Sequence, residues 1–513
     1  MSVKRACLAG RVLLACVLAI SVEKSFAHGD SSSDVLPAPS ADGAQRNTLS
    51  SPEYPYLLVD PLRSRPGRLE SDEPLPGDTT AIDCAATGAP TTLSLAAAVD
   101  LALCHSPQVQ ASWAAIKIQA AGLGQARAAW LPTANATLSR LHSQTIYPKF
   151  SASNTSSTGD TAYAGLTWRL FDFGARSADS ESATRLLDAA LANHDATLQK
   201  TLSAVVQAYF DAVSGRAAVR SRADATRYAQ ETLDATLRRE AKGAAPVSDT
   251  LQAKAALAKA RLAEQRAIGD LHKSLAILSY ACGLSAGAQA DVVEDAPSEA
   301  EQAVADLDRW LEMASARHPA ILAARAQVSA AEAKVSVARA QGLPSIDFSA
   351  NYYRNGYPNQ GLQPTNSATR TVGITLTIPL FEGLARTYQI RGAQAQVEQS
   401  QAQLQDTQLQ LASTLVKDHA DATAALANLD ASAAWATASV AAVESARKRY
   451  DKGAGDVLEL LAAEASVADA QQERVRCLAE WRAAKLRLFA DAGLLGRLEV
   501  AQIAEPSRTK NGQ

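Results

Sequence analysis

Apolar positions recur every seven residues through two long stretches of the chain. Leu191, Leu198, Val205, Ala212 and Val219 form one seam, and Leu415, Ala422, Leu429, Ala436, Val443 and Tyr450 form another. A seven-residue repeat keeps one stripe of a helix facing a partner, the pattern of a coiled coil. No proline interrupts either stretch, so each is expected to be one unbroken helix, the first over 176–241. At 1.5 Å per residue such a helix reaches about 100 Å, far beyond what a globular core needs.

Elsewhere the period changes to two. Val372, Ile374, Leu376, Ile378 and Leu380 alternate with Thr371, Gly373, Thr375, Thr377 and Pro379, and Ile346, Phe348, Ala350 and Tyr352 alternate with Ser345, Asp347, Ser349 and Asn351. Ala162, Ala164, Leu166, Trp168 and Leu170 alternate with polar residues earlier in the chain, after a weaker run at Ala134, Ala136 and Leu138. Four strands are predicted, near 132–147, 160–171, 344–354 and 370–381, each with one apolar and one polar face. Loops rich in Ser, Thr, Asn and Gly, 151–160 and 355–369, join the strand pairs.

These elements occur twice. Gln125-Ala126-Arg127-Ala128-Ala129-Trp130-Leu131-Pro132 is echoed 212 residues later by Val337-Ala338-Arg339-Ala340-Gln341-Gly342-Leu343-Pro344, and Pro107 meets Pro319 at the same shift. Leu170-Phe171-Asp172 and Lys242-Gly243-Ala244 recur 210 residues on as Leu380-Phe381-Glu382 and Lys452-Gly453-Ala454. Two homologous repeats, 93–284 and 301–494, thus account for most of the chain. Each is expected to run short helix, helix, two strands, very long helix, Gly-containing break, helix. The two shorter helices after the first, about 24 and 35 residues, nearly match the long one when stacked end to end. An acidic linker, 285–300, separates the repeats; residues 28–92 hold nine of the twenty prolines and read as an extended N-terminal segment without its own core, and 495–513 form a C-terminal tail.

The N-terminus sets the compartment. Lys4 and Arg5 precede an apolar stretch, 12–22, and Ser25-Phe26-Ala27 places small residues where a signal peptidase reads, so cleavage after Ala27 is expected. Leu13-Leu14-Ala15-Cys16 resembles a lipobox, but Arg11 leaves little apolar stretch before Cys16 for lipidation. Removing 1–27 leaves 46 basic and 52 acidic side chains, a mildly acidic exported protein. Cys84, Cys104, Cys282 and Cys477 remain, and export favours a disulfide between the near neighbours Cys84 and Cys104, with two unpaired thiols as the alternative.

Composition then narrows the function. The 513-residue chain has a mean hydropathy of −0.10, and past the N-terminus no run is long and apolar enough for a transmembrane helix, which excludes a polytopic helical transporter. Near-balanced charge gives no basic field for nucleic acid. His residues are scattered, and CxxC, HExxH, P-loop and GxSxG motifs are absent from the sequence, so no catalytic, metal or cofactor site is expected. Aromatics make up 5% of the chain, yet Tyr147, Phe150, Tyr163, Trp168, Phe171, Phe173, Phe348, Tyr352, Tyr353, Tyr357 and Phe381 all cluster around the strands. Amphipathic strands of about ten residues flanked by aromatics have the anatomy of an outer-membrane barrel. Four strands cannot close one, and open edges in lipid cost several kcal/mol per unpaired group, so the barrel must be shared among copies; three copies give twelve strands.

The repeated helix–strand–strand–long helix–helix unit, with its paired Ala-Arg-Ala-x-x-Leu-Pro and Leu-Phe-Asp/Glu segments, resembles the TolC family of outer-membrane efflux proteins over 93–494. Within that family the chain is most similar to the outer-membrane components of type I secretion. The resemblance implies a homotrimer, mainly α-helical, with a 12-stranded transmembrane β-barrel above a long coiled-coil periplasmic tunnel. It implies as partners a periplasmic adaptor and an inner-membrane ABC transporter, with a secreted protein toxin as cargo. A small-molecule efflux duct fed by a proton-driven drug pump shares every feature above, and a periplasmic structural coiled-coil protein would explain the heptads but not the strands. The family pattern places the closed periplasmic entrance at the helix tips, on Ser248 and Asp249 in the first repeat and Tyr450 and Glu459 in the second. Threefold symmetry would make Asp249 and Glu459 rings of like charge that favour cations. The family's second acidic position falls on Ala462 and its constriction arginine on Gly455, two departures that weaken the usual lock.

Overall fold

The computed structural model describes residues 92–146, 155–284, 291–293, 306–356 and 367–495, together with 62 and 148. Of the two compact units into which the chain divides, 1–59 and 60–513, only the second contains described residues. The expected signal peptide, Cys16 and Cys84 lie outside them.

The first repeat comprises strand β1 (Thr92–Leu93), helices α1 (Leu95–His105) and α2 (Pro107–Ala128), strands β2 (Thr133–Thr145) and β3 (Thr155–Phe171), and helices α3 (Ala175–Ala241) and α4 (Val247–Ala281). After β4 (Asp291–Val292), the second repeat runs α5 (Leu307–Arg317), α6 (Pro319–Ala340), β5 (Ser345–Asn355), β6 (Ser367–Thr377), α7 (Ala385–Asp451) and α8 (Val457–Asp491). The four helices of each repeat have the same lengths: 11, 22, 67 and 35 residues.

Local chemistry fixes the ends. Pro107 and Pro319 open α2 and α6 in the first turn, where a missing N–H costs nothing. At the far tips, Gly243 and Gly453 take positive φ, and the amides of Ala244 and Ala454 reach back to the carbonyls of Arg239 and Arg449. That six-to-one closure stops both long helices identically. Where the strands hand over to the long helices, Phe173-Gly174 and Gly383-Leu384 occupy equivalent left-handed positions.

Four strands form one antiparallel sheet in the order β2-β3-β5-β6. The register puts Leu138, Leu166, Trp168, Phe348, Ile374 and Leu376 on one face and Tyr163, Arg169, Asp347 and Asn351 on the other. The polar face is bonded to itself: Tyr163 Oη donates to Asn351 Oδ1 at 2.8 Å, and Arg169 Nε to Asp347 Oδ1 at 3.0 Å. Two expectations shift at the margins. Residues 155–160, expected in a loop, extend β3 against Ser143 and Gln144, because β-branched Thr and short Ser suit a pleated pair. The strand expected over 370–381 spans β6 instead; its ladder ends at Thr377, just before Pro379, which has no N–H to give. A small parallel pair, β1 with β4, joins the start of the first repeat to the linker, where the sequence pattern predicts no strand.

Below the sheet the helices form a layer four wide. Beside the strands it is α2, α3, α6 and α7; toward the tips it is α4, α3, α8 and α7. The main core gathers α1 against the middle of α3 and the ends of α4 and α8, around Leu95, Leu101, Leu202, Tyr209, Leu278 and Leu486. A second core, around α5, joins Trp310, Leu415, Leu429 and Trp481. Each such fully buried Leu stabilises the fold by about 1.5–3 kcal/mol. Toward the tips the cores thin to four residues each, Ala229, Leu233, Ala253 and Leu257 in one hairpin and Ala446, Tyr450, Val457 and Leu460 in the other.

Candidate functional site

The helical tips place all four residues expected at the entrance within two turns of chain. Ser248 and Asp249 sit in the first turn of α4, after Pro246, and Ser248 Oγ is 3.3 Å from Asp249 Oδ1. Glu459 occupies the equivalent turn of α8, whose start is capped by Asp456 Oδ1 accepting from Leu458 N at 3.2 Å. Both acids lie where the helix dipole favours negative charge. Their surroundings differ. Glu459 forms an ion pair with Arg449 of its own hairpin, whereas Asp249 has no basic partner among the described residues.

Tyr450 lies in the last turn of α7. It is buried, and it ties the two repeats together: Arg239 donates to its carbonyl at 2.8 Å and stacks on its ring at 4.4 Å, while Thr236 Oγ1 lies 3.2 Å from its hydroxyl. Arg239 and Arg449 are equivalent residues of the two repeats with different employment. Gly455 explains itself sterically, since a Cβ there would lie 2.9 Å from the backbone nitrogen of Tyr450. An arginine at this position would displace the turn.

Behind the tip, Glu464 of α8 is buried against α3. Thr232 Oγ1 bonds both its carboxylate oxygens at 3.2 Å, and Arg447 stands 3.7 Å away. Burial pushes its pKa up to about 7, against the pull of the Thr232 bond and Arg447 and with some help from Glu231. Further up, Asp418 and Asp491 face each other beside Arg487, which is 3.2 Å from Asp418; burial, with the neighbouring carboxyl, lifts Asp491 to about 7. Arg239, Thr232, Glu464 and the Asp418–Asp491 pair were not anticipated. The available signal was a charge standing on an otherwise apolar heptad stripe, as Asp418 does three residues after Leu415.

Cys104 is disulfide-bonded; its expected partner, Cys84, lies outside the described residues. Cys282 and Cys477 are free and buried. Among the described residues no group of His, Cys, Asp and Glu is arranged to hold a metal, and no helix is long and apolar enough to cross a membrane.

The family model described as "Outer membrane efflux protein" matches residues 98–284 and 310–494, the two repeats. The chain is 38% identical over 416 residues to Protein CyaE of Bordetella pertussis, covering 79% of this chain and 85% of that protein. It is 25% identical to Nodulation protein T of Rhizobium leguminosarum bv. trifolii, with coverage of 75% and 82%. Among solved structures, it superposes on the outer membrane protein VceC from Vibrio cholerae with a TM-score of 0.65 at 22% identity, covering 78% of this chain and 96% of that one. The Campylobacter jejuni CmeC outer membrane channel gives a TM-score of 0.68 at 16% identity, covering 84% and 97%.

Proposed function

Because this chain belongs to the outer membrane efflux protein family, we propose that it is the outer-membrane duct of a type I secretion system that exports a protein toxin of the adenylate cyclase or haemolysin kind. It is an outer-membrane efflux channel with a large periplasmic tunnel, and its family and fold are those of channels rather than enzymes. The identity to Protein CyaE over most of both chains carries the cargo reading.

In this reading three copies associate. One chain offers a four-stranded sheet whose outer strands, β2 and β6, each leave a row of backbone groups unpaired. In lipid that cost is several kcal/mol per group, and pairing β6 of one copy with β2 of the next removes it. Twelve strands close a barrel wide enough for a channel. The helix layer then continues below as a tunnel whose narrow end is the ring of tips, with Ser248, Asp249, Tyr450 and Glu459 at the entrance. Energy comes from an inner-membrane ABC transporter, reached through a periplasmic adaptor that docks at those tips. Residues 1–27 serve as a removed signal peptide in this scheme.

Ala244 and Ala454 are exposed on the two tip turns, so cysteines there report the docking partner. Crosslinking in cells from Ala244→Cys and Ala454→Cys is expected to recover the adaptor of an ABC exporter. Recovery of a drug pump's adaptor instead would overturn the toxin reading while leaving the channel intact.

A further inference from the structure

The lipid-facing side of the sheet carries charges that neither the duct nor its gate uses. Arg140, Arg354 and Arg370 fall on the same face as Leu138, Ala350 and Val372, by the two-residue alternation of each strand. Arg140 pairs across the ladder with Asp160, Arg354 with Ala162, and Arg370 with Tyr352, which itself lies opposite Ala164. From β2 to β6 the arginines therefore step about four residues toward the helices over three strand spacings, an incline of about 40° to the rungs.

That incline is the strand tilt of a transmembrane barrel, about 35–45°. The internal repeat gives its sense independently. Thr133 and Ser345 open equivalent strands, yet Thr133 pairs with Thr167 while Asp347, two residues beyond Ser345, pairs with Arg169. Equal depth thus also descends toward the helices from β2 to β5. The three arginines consequently lie near one level of the membrane. Below them on β6, Val372, Ile374 and Leu376 lead to Ile378 and Leu380, about 20 Å of apolar height at that tilt. An arginine at the bilayer midplane costs about 2–4 kcal/mol but almost nothing at the interface, so the row marks the outer boundary.

The chemistry at that boundary is anionic. Arg140 and Arg354 share a concavity of about 690 Å³ with Leu138, Asp160 and Ala162. The Arg140–Asp160 pair, 3.7 Å apart with both side chains more than three-quarters exposed, is loosely held and leaves Arg140 able to take a second acceptor. Arg354 has no acidic partner among the described residues, and Arg370 rests about 6.0 Å from the Tyr352 ring. His142, also on this face, bonds Thr158 at 2.8 Å. With Asp160 counted against them, each copy keeps two uncompensated positive charges at the level of the lipid headgroups. Guanidinium groups bind phosphate bidentately, and their aliphatic stems lie along acyl chains.

We propose that Arg140, Arg354 and Arg370 form a binding belt for the headgroup phosphates of an anionic outer-leaflet glycolipid. The belt rests on the reading of the sheet as one third of a barrel. It anchors the duct at fixed depth against the push of the pump below.

The test uses the full-length protein purified from outer membranes, with bisphosphorylated lipid A, dephosphorylated lipid A and inorganic phosphate as separate probes, bound species being counted by native mass spectrometry. Wild type is expected to bind the bisphosphorylated form roughly ten- to hundredfold more tightly than the dephosphorylated one. The triple variant Arg140→Gln, Arg354→Gln, Arg370→Gln should lose that preference while remaining an SDS-resistant oligomer, and Arg370→Gln alone should lose part of it if the triple fails to assemble. Equal affinity for both lipid forms, or an unchanged preference in the variants, overturns the belt. Displacement of the lipid by millimolar inorganic phosphate, beyond an ionic-strength control, overturns the lipid as its ligand. If wild type itself forms no oligomer in the outer membrane, the barrel reading fails first and the belt falls with it.

Discussion

The two repeats match residue for residue in helix length, yet their long helices live in different surroundings. Helix α3 buries 22 of its residues and α7 only 10. The reason is position: α3 has α2 and α4 on one side and α6 and α8 on the other, with α1 against its middle, whereas α7 has α6 and α8 on one side only, with the short α5 against it. Its free side exposes Leu409, Val416, Trp435 and Val440, and at the opposite edge of the layer α2 and α4 expose Ile118, Leu262, Ile277 and Tyr280. One repeat shows the finished interface and the other shows the same interface open, so the inner contact serves as a template for the neighbour that the proposed assembly supplies.

The junction between strands and helices makes this concrete. Arg176 is buried, bonded to Asp172 at 2.7 Å, to the carbonyl of Arg169 at 2.7 Å and to those of Leu170 and Ala129, and its guanidinium covers Trp130 at 4.3 Å. In the second repeat Arg386 lies over Gly342, the counterpart of Trp130, and meets Glu382 at 3.5 Å with about a third of its side chain exposed. Arg176→Ala would leave a buried carboxylate unpaired and cost about 3–5 kcal/mol. Arg386→Ala should cost no more than about 1 kcal/mol. Urea unfolding of the detergent-solubilised monomer compares them, and equal losses would contradict the claim that one junction is enclosed and the other open.

A smaller effect separates the tips. Arg239 crosses to Tyr450 of the other repeat, while its counterpart Arg449 stays within its own hairpin on Glu459. The hydrogen bond and ring contact of Arg239 together are worth about 2 kcal/mol, which on the proposed reading of the tips as a gate is roughly a thirtyfold shift between closed and open. In planar-bilayer recordings Arg239→Ala is therefore expected to raise conductance severalfold and Arg449→Ala to change it little. Asp249→Ala with Glu459→Ala should reduce cation preference at the entrance. Unchanged selectivity in that double variant would remove both acids from the gate.

The repeat, the long helices and the faces of the strands could be read from sequence because each rests on a local period: seven for the coiled coil, two for the sheet. Lys242-Gly243-Ala244 and Lys452-Gly453-Ala454 mark the turns, and the family resemblance singles out Ser248, Asp249, Tyr450 and Glu459 beside them. Their partners could not be read. Tyr450 meets Arg239 across 211 residues of chain, and Glu464 meets Thr232 across 232, pairings that exist only once the α7–α8 hairpin lies beside α3. Glu464 also hides among alanines in a stretch whose pattern reads as an ordinary solvated helix. The outer reach of β3 was missed because Ser and Thr in 155–160 are as common in loops as in strands, and the ladder with β2 decided between them.

The inner template fixes the most direct test of the three-copy assembly. Inside the protomer, Ser182 Oγ of α3 donates to the carbonyl of Ala330 on α6 at 3.1 Å. In the proposed three-copy assembly, the repeat shifts turn that contact into Gly392 on α7 facing Ile118 on α2 of the next copy. Gly392 has open space where a side chain would stand, and Ile118 is 67% exposed, a knob and a hole without occupants. Non-reducing gels of outer membranes carrying Ile118→Cys with Gly392→Cys should show a ladder ending in a covalent trimer, with neither single variant doing so. Monomers alone, or a ladder that stops at dimer, would contradict the shared barrel and tunnel.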